Sequence, residues 1–127
     1  MPIRTQVDPV DALSQAGGFA AATRVPGEWI DVAEWDLAAF MLEVSLGSAT
    51  SVTFDVEARR RGGETLQVVN ADGSDLEVTF SADGDYLWPA LQDGVTTIRA
   101  HQVRIGATFT GTPSTASTIV ARAVKVQ

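Results

Sequence analysis

What this chain lacks narrows it before any motif is read. None of its 127 residues is cysteine, which removes disulfide frameworks, thiolate nucleophiles and cysteine-based zinc sites together. It has one histidine, His101, so neither a histidine-rich metal site nor a Cys–His pair can be assembled. Lysine is nearly missing too: Lys125 is the only one, and arginine supplies the rest of the positive charge. Nine Lys and Arg stand against 16 Asp and Glu, a net charge of −7. An acidic surface of that size repels nucleic acid and anionic lipid at long range, so neither is an expected partner. No run approaches the roughly 18 apolar residues that a membrane-spanning helix requires. The opening Met1-Pro2-Ile3-Arg4-Thr5-Gln6-Val7-Asp8 has no charged region followed by an apolar one, and synthesis in a cytoplasm is expected.

What the chain has is a rhythm. In Val52-Thr53-Phe54-Asp55-Val56-Glu57-Ala58 the apolar residues share one face and the polar ones the other, the period of a strand with one buried side. Leu76, Val78 and Phe80 repeat it, as do Val103, Ile105, Ala107 and Phe109. The expected strands are 28–33, 37–47, 50–60, 65–70, 75–81, 85–91, 95–100, 102–110 and 117–126. Turn chemistry separates them: Leu46-Gly47-Ser48-Ala49, Arg61-Gly62-Gly63, Asn70-Ala71-Asp72-Gly73, Ala82-Asp83-Gly84, Gln92-Asp93-Gly94 and Gly111-Thr112-Pro113-Ser114. The Asp-Gly pairs are expected to supply the positive φ of tight hairpins. Strand starts near ten residues apart indicate an antiparallel sandwich rather than βαβ units. With 45% hydrophobic and 20% charged residues, the length suits one domain with a sufficient core.

The reading is therefore all-β: an antiparallel β-sandwich, jelly-roll or Ig-like, of about eight strands over 26–127. Its expected core contains Leu42, Val44, Val52, Phe54, Val56, Leu76, Val78, Phe80, Val103, Ile105 and Phe109. Residues 119–126 are apolar on both faces, as in a central strand or one covered by a second subunit. Residues 1–25 break the pattern. Asp8-Pro9-Val10-Asp11 resembles a helix start, running to a stop at Gly17-Gly18. They are expected to form an N-terminal docking arm, with Ile3, Val7, Val10, Leu13 and Phe19 as apolar anchors.

Candidate chemistry is sparse. His101 has no nucleophile on a recognisable turn and reads as a surface or loop histidine. Asp55, Glu57 and Glu77 fall on wet strand faces, and Asp72, Asp75, Asp83, Asp85 and Asp93 fall in turns, so surface and turn duty accounts for them. Asp72-Gly73-Ser74-Asp75 lacks the spacing of a calcium loop and its closing glutamate. The one basic cluster, Arg59-Arg60-Arg61, reads as a solvated hairpin tip or as a salt contact to an acidic partner protein. Trp29, Trp35, Phe40, Tyr86 and Trp88 are candidates for core packing, a subunit interface or a sugar-stacking platform. Tyr86 and Trp88 share one strand face, and Pro89 after them suits an edge strand. No catalytic residue, cofactor site or metal site is expected.

Residues 29–127 resemble small β-sandwich structural proteins of tailed bacteriophages, especially head-decoration (cement) proteins. The residues that carry the resemblance are Pro26-Gly27-Glu28-Trp29-Ile30-Asp31-Val32, the strand 51–58, the turn Phe80-Ser81-Ala82-Asp83-Gly84-Asp85-Tyr86, and the closing strand after a Thr/Ser/Gly/Pro loop. The resemblance implies a non-enzymatic role on a capsid surface. It also implies major capsid protein as partner, homo-oligomers with a trimer favoured, and an N-terminal arm gripping the lattice. Tail or head–tail components, and a carbohydrate-binding or adhesin module, are the alternatives.

Overall fold

Each dry strand face needs a second dry face, and the chain supplies it by rolling a doubled ribbon into two layers. The computed structural model describes residues 9–33, 36–60, 62–90 and 100–126. Its strands are β1 (Val10–Ala16), β2 (Arg24–Pro26), β3 (Ile30–Asp31), β4 (Asp36–Ser45), β5 (Ala49–Arg59), β6 (Leu66–Gln67), β7 (Glu77–Phe80), β8 (Gly84–Trp88), β9 (Gln102–Gly111) and β10 (Thr118–Val126). One sheet has four strands in the order β1-β10-β4-β8. The other has six, in the order β2-β9-β5-β6, with β3 also on β9 and β7 also on β5. All pairings are antiparallel.

The pairings are nested. β5 meets β6 and β7, β4 meets β8, β2 and β3 meet β9, and β1 meets β10. The chain thus doubles back between β5 and β6, and the ribbon wraps so that β10 also pairs β4 and β9 also pairs β5. Counting the interrupted edges β2/β3 and β6/β7 as one strand each, this is the strand order of a jelly roll. Eight of the nine expected strands correspond to β3 to β10. The expected strand 95–100 falls on residues 91–99, outside the described residues, apart from Ala100.

The core lies between the sheets. Phe40, Phe54, Phe109, Leu37, Leu42, Ile105 and Ile119 are fully buried, with Val52, Val56 and Val103. Of the expected core, Val78 and Phe80 are half-buried at the β7 edge and pack against it. β10 is a central strand between β1 and β4, which explains its apolar residues on both faces.

Two local expectations fail. Residues 10–16 are a strand, not a helix. Two helical turns would have left the β10 edge unpaired, and pairing β1 to it satisfies that edge. A register shift between Asp11 and Leu13 is a bulge that lets both Ala12 and Leu13 face the core, where both are buried. Residues 10–16 and 24–26 are therefore strands, one in each sheet, and Phe19 on the connection between them packs tilted against Phe109 with ring centroids 4.6 Å apart. The second failure concerns Ala82-Asp83-Gly84. This turn carries the chain from β7 in one sheet to β8 in the other, and Asp83 Oδ1 accepts the Leu46 N–H at 2.7 Å. Gly73 does take positive φ, at 88°. At the adjoining corner Gly47 has φ 59°, and an added Cβ would collide with Ser114 and Ser117. Fully buried Ser117 donates from Oγ to Leu46 O at 2.7 Å and accepts from the Ser114 N–H at 2.9 Å, locking the corner.

Candidate interaction surfaces

The outer face of the six-stranded sheet is a charge ladder. Arg24 on β2 reaches across β9 to β5, where its Nη2 lies 2.7 Å from Asp55 Oδ1 and its Nη1 lies 2.6 Å from Glu57 Oε1. Gly106 on β9 makes the crossing possible, because a Cβ there would overlap the Arg24 guanidinium. Arg104 Nε donates to Glu57 at 2.8 Å. The Arg104 and Arg59 guanidiniums sit 4.5 and 4.0 Å from the Trp29 ring centroid, a favourable cation–π placement. Arg59 also donates to Gln102 Oε1 at 2.9 Å. Partial burial pushes the Glu57 pKa up, but the Arg104 hydrogen bond and the charges of Arg24 and Arg104 outweigh it and hold the carboxyl below its usual range. Partial burial likewise lowers the Arg24 pKa, and the hydrogen bond and charge of Asp55, with the charge of Glu57, more than reverse it.

A carboxylate whose folded pKa is lowered contributes stability that is complete above its unfolded value, about 4.3, and fades as pH falls through the folded one. Arg24→Met removes one of the charges that lower Glu57. It is expected to cost about 1–3 kcal/mol at neutral pH and to flatten the acid-side loss of stability between about pH 5 and pH 2. Urea unfolding across that range reads both effects; parallel pH profiles for the variant and the parent would count against the ladder.

The outer face of the four-stranded sheet is different. Met41 on β4 and Leu87 on β8 stand directly opposite each other, 43% and 68% exposed, above a floor of buried Ala39 and Val124. One pair along, Glu43 faces Asp85, two like charges in a position that disfavours them. Arg122 on β10 relieves Glu43 through a 2.8 Å ion pair and also reaches Asp11 at 3.3 Å. No described residue forms an ion pair with Asp85. The result is an open groove of about 590 Å³, apolar at its centre, with the Glu43–Arg122 ion pair and the carboxylate of Asp85 at its rim.

The fold-back end of the ribbon carries a second groove, about 560 Å³, lined by Ala58, Leu66, Ala100, His101, Arg59 and Arg60. Leu66 is 60% exposed. Arg60 is exposed as well, and among the described residues it makes no ion pair. Met41, Leu66 and Leu87 are the large hydrophobic side chains left exposed among the described residues, and they fall in these two grooves.

The residues singled out from sequence are dispersed. Val10, Leu13 and Phe19 pack into the protein's own core, because β1 and the turn after it close the sandwich. Trp88 is buried against Phe40, with ring centroids 6.0 Å apart. Tyr86 stacks on Phe80 at 4.0 Å and donates its hydroxyl to Ala82 O at 2.7 Å. Both rings are on one strand face, as expected, but that face is the inner one. Arg59 is held by Trp29 and Gln102, leaving Arg60 as the outward arginine. Ile3, Val7, Trp35 and Arg61 lie outside the described residues. The missed residues are Met41, Leu87 and Leu66. Alternation puts Leu87 on the face opposite Tyr86 and Trp88, and the pairing of β8 to β4 is what makes that face the outer one. Asp72 serves its own turn, accepting from the Ser74 hydroxyl at 2.6 Å and backbone N–H at 2.9 Å, which lowers its pKa. Among the described residues no three His, Asp or Glu side chains converge as a metal site would need.

Comparison with protein-family models, with curated proteins and with solved structures found no match to this chain.

Proposed function

We propose that this protein is a non-enzymatic structural component of a tailed-bacteriophage virion. In this reading it is a decoration or cement protein, made in the host cytoplasm, that binds the outside of the major capsid shell and stabilises it as a homo-oligomer, with a trimer favoured over a dimer. The observation that carries this reading is the Met41–Leu87 pair, standing exposed on the outer face of the four-stranded sheet where β4 pairs the edge strand β8. An apolar pair on a stiff, pre-formed surface suits docking against another protein. The jelly-roll strand order adds support by analogy, since viral shells and lectins both use it. Ile3 and Val7 are proposed as contacts to the shell.

The glycan-binding alternative draws less support. Its aromatic platform would use Trp88 and Tyr86, which face the core, and Trp29, which is covered by two guanidiniums. The test is co-sedimentation of purified protein with capsids lacking it, together with the melting temperature of those capsids. Binding that raises capsid stability, and that weakens at least tenfold on deleting residues 2–8, is expected. Binding to tails in place of heads moves the protein to the tail reading. Failure to bind any virion part, with glycan-array binding instead, overturns the proposal.

A further inference from the structure

The two grooves complement each other. On the four-stranded sheet an apolar pair, Met41 and Leu87, borders a carboxylate, Asp85, that lacks an ion-pair partner among the described residues. At the fold-back end an exposed leucine, Leu66, borders an exposed guanidinium, Arg60, that likewise lacks one. Each has what the other needs: apolar surface for apolar surface, and a cation for an anion. They lie on different parts of the molecule, one on a sheet face and the other at the end of the ribbon, so one molecule cannot bring them together. A chain with a net charge of −7 resists meeting its own copies acidic face to acidic face. Contact through its arginine-bearing end avoids that repulsion.

We propose that the Met41–Leu87 face of one copy binds the Leu66–Arg60 end of the next, with Arg60 pairing to Asp85 across the contact. Such a contact is head-to-tail. It closes into a ring where the rotation between face and end divides a full turn, and otherwise extends into a filament. This inference rests on the self-assembling part of the reading above and not on the shell, so solution measurements without capsids test it alone.

The decisive experiment uses two variants, each broken at one half of the contact. Leu87→Arg puts a cation where Arg60 would approach, and Leu66→Asp puts an anion where Asp85 would approach. Both sites are exposed, so the fold carries little of the change; unfolding curves matching the parent verify this. Sedimentation equilibrium of the parent is expected to show association, and each variant alone should dissociate at least tenfold more readily. Mixed together, the two variants should recover association, because each still supplies one intact half and the two altered halves carry opposite charges. The absence of cysteine allows a second reading of the same contact. Leu87→Cys mixed with Leu66→Cys should cross-link to each other in preference to forming like pairs. A parent that stays monomeric at millimolar concentration, mixed variants that fail to associate, or cross-linking dominated by Leu87→Cys with itself would each overturn the proposal. The last result would identify a two-fold, face-to-face dimer instead.

Discussion

Deleting residues 2–16 should abolish cooperative folding. The truncation removes β1, and with it buried Ala12 and Leu13 and the antiparallel partner of β10. Losing a buried leucine alone costs about 2–5 kcal/mol where the surroundings cannot collapse. Here the loss also uncovers the apolar inner side of β10, where Ile119, Ala121 and Ala123 are buried, and opens a row of unpaired backbone donors and acceptors. Together these approach the whole stability of a domain this size, about 5–15 kcal/mol. Thermal unfolding and size-exclusion chromatography of the truncated chain are expected to show no cooperative transition and a strong tendency to aggregate. A truncated chain that melts like the parent would mean that β1 is dispensable and that the sandwich begins at β2. Deleting residues 2–8 alone leaves β1 in place, which separates loss of attachment from loss of fold.

Phe54→Ala is the point substitution with the largest expected cost, about 3–5 kcal/mol. Phe54 is fully buried in the middle of β5. Its backbone pairs with Ala107 on one side and Val78 on the other, and its ring meets Phe80 edge-on at 6.1 Å. Strands on both sides hold the site open, so a cavity persists. A fall in melting temperature of roughly 10–25 °C follows for a domain of this length. Leu87→Ala, on the outer face of β8, is the contrasting control: a shift within about 0.5 kcal/mol is expected. Equal losses at the two positions would contradict the assignment of inner and outer faces.

The difference between those substitutions shows what was legible along the chain. Residues 52–58 announce their own facing, because β5 is wet on one side and dry on the other, and alternation then maps directly onto burial. The same holds for β9. At β8 the alternation was equally plain, but whether Tyr86 and Trp88 or Leu87 faced the core was not stated locally. Two aromatic rings beside a proline suit an exposed platform as well as an edge strand packed inward. Their direction follows from pairing to Phe40 and Leu42 on β4, residues more than forty positions away. Residues 10–16 were misread for a related reason. Asp8, Pro9 and Gly17 are good helix signals, and what overrides them is the unpaired edge of β10, more than a hundred residues later.

Composition and periodicity by themselves determined that this is an all-β sandwich, where its longer strands run, and which of their faces are dry. Those properties depend on neighbours two residues apart, which the sequence displays. Tertiary structure alone decided the nested jelly-roll pairing, the recruitment of residues 10–16 and 24–26 as strands, one in each sheet, and the crossing of Arg24 over Gly106. It also decided which few apolar side chains remain in water. In this roll β1 pairs with β10, from the far end of the chain, and strands joined in sequence repeatedly belong to opposite sheets. The surfaces that matter for binding are therefore assembled from segments that no local pattern connects.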